Sequence, residues 1–452
     1  IVAHPPHDRA ESIVPNQHGD WLNQRSEEFA TWPVIGEKKG DATKIFEVHS
    51  AGLQTNRDAW VYSYSGKQLA DQVDRLITAY DQALSEVSKF DSINDLFDSH
   101  PEFVDPAKIK WSSSLQNHLM RRNPIPSNGF QTLSLYRPFC KQKVYFDSIL
   151  NHRTYQLPSM FPTQQHKSIG YVSTSPGDSV PLGTLAMNTM PDLHTIATSQ
   201  FFPRFTWEPV DAEDGGLFGE RTSISEGESS MYGQVGEVVA GYVRKDNITD
   251  AIKAIYRDAL GADVTGDDIF HFVYGKLHDP NYRETYAADL KKMLPHIETP
   301  GTREEFDKFA RAGKELMDLH VGYEDVEPYP LDIAVKGDES DPETWRVLKM
   351  KWGRKKDPET GKNVNDVTKL IYNKRVTITG IPAEADEYML GSRSALAWLI
   401  DRYQVKKDKA SGIVNDPNDW ADEGGNPRYI VDLIGKVTRV AVETVRIVEG
   451  LR

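Results

Sequence analysis

Among 452 residues the chain holds one cysteine, Cys140. One thiol cannot close an internal disulfide, and it excludes a zinc site built on cysteine pairs. A reducing, cytoplasmic compartment fits that usage. No apolar run approaches the roughly 20 residues that a membrane-spanning helix needs. The opening residues, Ile1-Val2-Ala3-His4-Pro5-Pro6, lack the charged start and apolar stretch of a secretory leader, and there is no initiating methionine. The simplest expectation is a segment that continues a longer polypeptide. Positive charge is also in short supply: 53 Lys and Arg stand against 67 Asp and Glu, a formal net charge of -14. A body this acidic excludes nucleic-acid binding through bulk charge. If DNA is the partner, it must meet locally basic surfaces.

The usual catalytic signatures are missing as well. There is no phosphate loop of the Gly-x4-Gly-Lys-Ser/Thr type, no Gly-x-Gly-x-x-Gly after a strand, no His-Glu-x-x-His and no Gly-x-Ser-x-Gly. The Asn-Pro-Pro-Tyr tetrad of amino-methyltransferases is absent; His4-Pro5-Pro6-His7 has its prolines without the Asn or the aromatic, and reads as linker. Asp20 with Glu37-x-Lys39 can be aligned with the acid and Glu-x-Lys of metal-dependent nucleases. In a chain this charged such spacing arises by chance, and a solvated turn explains it better. No residues are therefore assigned to catalysis or to a metal.

What is present is a mixed pattern of short strands and amphipathic helices, an α+β (mixed α/β) fold class. Lys44–His49 and Trp60–Tyr64 have strand character, with a polar turn between them. Leu69, Val73, Leu76, Ile77, Tyr80, Leu84 and Val87 recur at helical spacing and form one apolar stripe. Tyr136, Val144–Phe146 and Ile169–Thr174 predict further strands. The stretch from Val210 to Gln234 is acidic and rich in Gly and Ser, so it reads as a loop or linker. Beyond it, Thr249 predicts an N-cap for a helix over Asp250–Leu260, and Thr302-Arg303-Glu304-Glu305 a capping box before Phe306–Leu319. Helices are also expected over Asp268–Leu277, Tyr282–Leu294, Ser394–Tyr403 and Arg428–Val448. Trp345–Trp352 and Leu370–Thr379 read as a strand pair joined by a long basic loop. The expected organisation is a strand-rich subdomain over 44-209, an acidic linker or loop over 210-245, and a helical subdomain with a small antiparallel sheet over 246-452.

Several stretches are more particular than composition requires. They are Pro15–Arg25, Ser50–Tyr62, Leu135–Asp147, Asn188–His194 and Ser394–Lys406, the last running on to Gly412–Trp420. In this order they resemble the C-terminal specificity, or target-recognition, region of type ISP restriction–modification enzymes, a family often labelled predicted helicases. The resemblance spans roughly Pro15 to Leu451. It implies a polypeptide in which a nuclease, an ATP-driven motor and an adenine-N6 methyltransferase precede a domain that recognises duplex DNA. Residues 1-43 would then close the methyltransferase domain or link to it. S-adenosylmethionine, ATP and Mg would serve those upstream domains, with no cofactor in this segment, and the setting would be a bacterial cytoplasm. Gly52-Leu53-Gln54-Thr55-Asn56-Arg57-Asp58-Ala59-Trp60-Val61 is also similar to the Gly-x-x-Thr-Gly-x-Asn-x-Ala-Phe-Val motif that opens the recognition domain of gamma-class adenine methyltransferases. Here Asn56 stands for Gly and Asp58 for Asn, and one residue fewer separates Asp58 from Ala59, so the likeness assigns no base contact to either.

The candidate DNA-contacting residues each carry a plainer alternative. Asn56, Arg57 and Asp58 have side chains suited to base edges, and equally suited to an Asx turn with a local ion pair. Arg121 and Arg122 fit phosphate contact or a helix C-terminus. Arg137, Lys141 and Lys143 lie among Tyr136, Phe139, Tyr145 and Phe146, which suits a DNA-facing wall or a half-buried strand covered by lysine stems. Arg354 and Lys355, with Lys356 and Lys362, suit a phosphate clamp or an exposed loop. Lys406, with Lys407 and Lys409, precedes a segment with the side-chain chemistry of an ordered loop. A nuclease or hydrolase with an unrecognised site, and an acidic interaction scaffold with no DNA role, are the competing function classes.

Overall fold

The computed structural model describes residues 14–452 except 17, 18, 23, 38, 127 and 211–229. The His4–His7 stretch and most of the acidic segment therefore lie outside the described residues. Two hydrophobic cores organise the rest. One joins Leu53–Phe201 to Tyr323–Ala441, and the other joins Phe29–Phe46 to Ile248–Met317. Each core draws on both ends of the chain, so the packing cuts across the division at 210-245 expected from composition.

A four-stranded antiparallel sheet stands between the cores, in the order Ser50–Ala51, Ser199–Pro203, Gly170–Thr174, Thr184–Met187. Side chains alternate between the faces of a strand. Val172 pairs with Phe201 and Leu185, and all three belong to the first core. Their neighbours Tyr171, Phe202 and Ala186 pair with one another and belong to the second. Burial on both faces explains why Gly170–Thr174 is continuously buried rather than alternating.

Against the first core lies the helix Gly66–Glu86, capped by Ser65 Oγ accepting from Gln68 N (3.1 Å). Its buried residues include Leu69, Val73, Leu76 and Tyr80 of the stripe read from the sequence, with Ile77 and Leu84 half-buried at its edge. It covers a sheet ordered Tyr62–Ser63, Cys140–Phe146, Phe130–Arg137, Met190–Pro191. In the second core the helices Gly266–Lys276 and Arg303–Val321 cross at Gly275 and Gly313. A Cβ on Gly313 would lie 1.9 Å from the His271 carbonyl oxygen, so the close approach requires glycine.

The structure corrects several local expectations. Trp60–Tyr64 is not one strand: Asp58–Val61 is a short helix, because Arg57 O accepts from Trp60 N (2.8 Å), and only Tyr62–Ser63 joins the sheet. Arg354 and Lys355 are not in a loop. Lys351–Lys356 pairs with Asn363–Ile371, and Asp357 Oδ1 closes the tight turn by accepting from Thr360 N (2.7 Å). Tyr282–Leu294 breaks into Pro280–Thr285 and Ala287–Leu290, where Asp289 turns to accept from Ser26 N (3.1 Å). Past the acidic stretch, Tyr242–Asp246 pairs with Phe205–Pro209 on one side and with Val238–Val239 on the other. Among the described residues no helix is long and apolar enough to cross a membrane.

Candidate nucleic-acid interface

The turn from Gly52 to Asp58 enters through a narrow gap. Leu53 bridges to Asp192 in parallel register, and a Cβ on Gly52 would lie 2.2 Å from the Asp192 carbonyl oxygen. Only a residue without a side chain lets these two segments meet. Gln54 bridges to Arg153 on the other side. Asn56 then turns outward at φ 56°, a left-handed conformation that Asn tolerates better than most residues, and its side chain is exposed. Gln54 Nε2 donates to Asn56 Oδ1 (3.3 Å), and Tyr155 OH donates to Gln54 Oε1 (2.9 Å). These amides therefore stand in a hydrogen-bonded row at the surface.

Arg57 points the other way and is fully buried. Its guanidinium donates to Lys110 O (3.1 Å), to Ser112 Oγ (2.7 Å) and to Leu150 O. Burial pulls its pKa down to about 10, so it stays charged at neutral pH. The base contact expected of Arg57 does not survive this placement, because every polar edge is turned into the protein. Asp58 accepts from Tyr136 OH (3.0 Å) and from Thr55 Oγ1. Arg137 lies 4.1 Å over the Tyr136 ring and donates to Asp192 Oδ1 (2.7 Å), which places it in a half-buried structural network. Tyr62 OH also donates to the Asp192 carboxylate (3.1 Å). Burial pushes the Asp192 carboxyl up, and Arg137 opposes that shift. The network is a rigid floor beneath the turn.

Above this floor a cleft of about 570 Å³ opens between Gln54–Trp60, Asp192–His194, Lys110 and the segment Asp408–Ser411. It shares Asp58, Ala59 and Asp408 with a second hollow of about 320 Å³ lined by Tyr136, Arg402, Lys406 and Lys407. Together they make one groove whose far wall is the hairpin of Lys406–Lys407 and Val414–Asn415. Three side-chain bonds fix that wall to the first core: Tyr64 N to Asn415 Oδ1 (3.2 Å), Asn415 Nδ2 to Gln142 Oε1 (3.0 Å) and Gln68 Nε2 to Val414 O (2.7 Å). Lys110, Lys406 and Lys407 are exposed along the groove. Lys406 Nζ donates to the Asp401 carbonyl (3.0 Å), and among the described residues no carboxylate lies within ion-pair distance of it.

The other candidates lie elsewhere. Arg121 and Arg122 follow the helix Ser113–Met120, exposed, and neither lines the groove. Lys141 pairs with Glu324 and Lys143 with Glu423, and both line a separate hollow of about 460 Å³ with Lys167. Arg354 donates to Asn365 Oδ1 (2.6 Å) and Lys355 stands 3.8 Å from Asp366, on an exposed ribbon. The groove thus gathers Asn56, Asp58, Lys406 and Lys407 from the expected set and leaves the rest outside. It adds Gln54, Lys110 and His194, which sequence reasoning did not single out. An isolated Lys or His carries no local signal of such a position.

Residues 44–433 match the family model described as the type ISP C-terminal specificity domain, so the chain belongs to that family. Three solved structures share its fold. The ATP-dependent type ISP restriction–modification enzyme LlaBIII bound to DNA is 28% identical with a TM-score of 0.77, covering 97% of this chain and 25% of that one. A nuclease-deletion mutant of the type ISP enzyme LlaGI, in complex with a DNA substrate mimic, is 31% identical with a TM-score of 0.75, covering 98% and 30%. The DrdV–DNA complex is 29% identical with a TM-score of 0.72, covering 97% and 40%. This chain thus spans between 25% and 40% of those chains. A search of curated proteins finds no match.

Proposed function

We propose that this chain reads a short sequence in duplex DNA and presents a target adenine to an adenine-N6 methyltransferase that adjoins it in one polypeptide. In that polypeptide an unmodified site licenses ATP-driven translocation and cleavage by the upstream domains, which use S-adenosylmethionine, ATP and Mg. The bacterial cytoplasm is its setting. The observation that carries the reading is the groove between the Gln54–Trp60 turn and the Lys406–Asn415 hairpin. It sets the exposed Asn56 amide and the half-buried Gln54 amide beside lysines on an acidic body, a pairing of base-edge readers with phosphate contacts. Methylation of a base requires it to leave the stack, so a reader rigidly built next to a catalyst gives the flipped base a fixed destination. Arg121, Arg122, Lys141, Lys143, Arg354 and Lys355 would then hold phosphates outside the groove. The hydrolase alternative is disfavoured at Asp20, whose carboxylate is taken up by Arg25 (2.7 Å).

The test is selection from a random-duplex pool at low salt with the purified chain. Enrichment of one short motif supports the reading and names the target. Absence of any retention by a folded chain refutes it and favours a scaffold. Asn56→Ala is expected to relax one position of the motif, whereas Lys406→Ala lowers affinity for all sequences alike.

A further inference from the structure

Over residues 351–371 six basic side chains stand against three acidic ones, in a chain whose net charge is -14. The stretch is the antiparallel pair Lys351–Lys356 and Asn363–Ile371. A third strand, Val376–Thr379, pairs only with Lys369–Ile371. The outer part, Gly353–Lys356 with Asn363–Asp366, is therefore a two-stranded ribbon standing beyond its sheet. A bulge sits at its root. Leu370 faces Trp352 and Asp366 faces Gly353, so Val367, Thr368 and Lys369 have no partner on the first strand. Bulges bend a ribbon and re-aim its side chains. This one is fixed by Asp366 Oδ1, which accepts from Thr368 N (3.2 Å) and Thr368 Oγ1 (2.7 Å). The tip is fixed as well: Asp357 Oδ1 accepts from Thr360 Oγ1 (2.7 Å), and Gly361, at φ 66°, donates its N–H to Asp357 O (2.9 Å).

Pairing register sorts the ribbon's side chains into two faces. Opposed residues share a face, and so do residues two apart on one strand. Arg354 opposes Asn365 and Lys356 opposes Asn363, so these four stand on one face, and all are exposed. Lys355, Val364 and Asp366 take the other face, where Lys355 stands 3.8 Å from Asp366. Arg354 donates to Asn365 Oδ1 (2.6 Å) and to Asn363 O (2.9 Å). A guanidinium only donates, so the atom it meets is the amide oxygen, and Asn365 Nδ2 is left to donate elsewhere. Among the described residues the Asn363 amide and the Lys356 ammonium have no hydrogen-bond partner. The root of the ribbon is tied to the wall of the protein groove. Val405 N donates to Leu348 O (3.1 Å), one residue before Lys406 and three before Lys351.

We propose that this ribbon enters the DNA major groove and that Lys356, Asn363 and Asn365 read base edges there. The inference rests on the reading of the chain as a DNA reader and adds a second reading element beside the Gln54–Trp60 turn. The major groove, about 12 Å wide, admits two strands about 4.8 Å apart, whereas the minor groove, at about 6 Å, is too narrow. Asn363 donates to N7 and accepts from the N6 amine of one adenine. Lys356 donates to O6 and N7 of a guanine, and Asn365 donates to a purine N7. Opposed side chains start about 5 Å apart and base pairs rise by about 3.4 Å, so Asn363 and Lys356 read neighbouring positions. Arg354 and Lys355 keep to the flanking phosphates, and Arg354 also orients the Asn365 amide. A protein partner is disfavoured by the same four residues, which offer no aromatic or aliphatic anchor.

The test is the duplex-pool selection run on the whole chain as wild type, Asn363→Ala and Lys355→Ala, with Tm measured for each. Asn363→Ala is expected to hold Tm and to lose about five- to 150-fold of discrimination at one position, with the rest of the motif kept. Lys355→Ala, on the opposite face, is expected to weaken all sequences alike. The selected duplex is then remade with the 7-deaza analogue of the purine at that position, which lacks the N7 acceptor and leaves the minor groove unaltered. The wild type is expected to bind it more weakly, and Asn363→Ala to lose nothing further. A motif unchanged in Asn363→Ala overturns the ribbon as a reader and leaves the reading at the Gln54–Trp60 turn standing. A uniform loss in Asn363→Ala overturns it in favour of a phosphate contact, and full sensitivity of that variant to the 7-deaza purine overturns it as well. A folded wild-type chain that retains no duplex, or retains duplexes without a motif, overturns the DNA-reader reading and the ribbon with it.

Discussion

Arg57→Met separates a structural role for the turn from a reading role. Methionine keeps the unbranched stem and its packing while removing the guanidinium. Three hydrogen bonds go with it, to Lys110 O, Ser112 Oγ and Leu150 O. Hydrogen bonds to a charged group contribute about 1.5–3 kcal/mol each, and the acceptors left behind cost about 1–3 kcal/mol. The same change relieves the desolvation of a buried cation. A net loss of about 4 kcal/mol is the resulting figure, close to the cost of breaking a buried ionic contact. Unfolding entropy of about 2.1 cal/mol/K per residue over 452 residues makes that about 4 °C in Tm if the chain melts as one unit. If the first core melts alone, the shift is about twice that. Differential scanning calorimetry reads the shift, and the duplex-pool selection repeated below Tm reads specificity. The expected result is a lower Tm with an unchanged motif. A changed motif at unchanged Tm refutes the placement of Arg57 as structural and returns it to the DNA face.

Other perturbations test the groove and its supports. Lys406→Ala with Lys407→Ala is expected to reduce the slope of log affinity against log salt by about 0.9 for each phosphate no longer neutralised, measured by fluorescence anisotropy; an unchanged slope removes the hairpin from the DNA surface. Gly52→Ala drives a methyl group into the Asp192 carbonyl and is expected to lower Tm and DNA retention together. Retention at full strength would show that the Leu53–Asp192 bridge is not needed. Acid is expected to unfold the second core early. Burial lowers His271 to about 4 and His320 to about 3, and it holds His278 well below the usual 6.5. The unfolded chain takes up these protons and the folded chain does not, so stability falls as pH drops from about 6.5 towards 4. Each such histidine contributes about 1.4 kcal/mol per pH unit in that window. Circular dichroism at graded pH follows it, and a His320→Phe variant as acid-sensitive as the wild type argues against the assignment.

What the sequence made legible was local. Leu69, Val73, Leu76 and Tyr80 of the stripe lie on the buried face of Gly66–Glu86, and Thr249 caps Asp250–Leu260 by accepting from Ile252 N (3.3 Å). Helix periodicity and caps are written within a few residues, and they are what a single sequence displays. The sheet between the cores was visible only as apolar runs, because burial on both faces erases alternation. The role of Arg57 was not visible at all. Its side chain has the chemistry of a base reader, and its partners stand 53, 55 and 93 residues away. The groove has the same character, since Asn415 meets Tyr64 across 351 residues.

That separation bears on how an acidic chain could hold DNA. A net charge of -14 repels a duplex at long range, so non-specific affinity from the chain as a whole is weak. Lys110, Lys406 and Lys407 stand along the same groove as the Gln54 and Asn56 amides, interleaved there with Asp58, Asp192 and Asp408. Attraction of this kind acts only after the duplex has entered, because at physiological salt screening confines it to about 8 Å. On the proposed reading, delivery would fall to domains beside this one, and discrimination to the groove. A reader built this way should gain more from attachment to a DNA-tracking partner than a basic reader does. The gain appears as faster association of the joined polypeptide, with the motif selected by the isolated chain left unchanged.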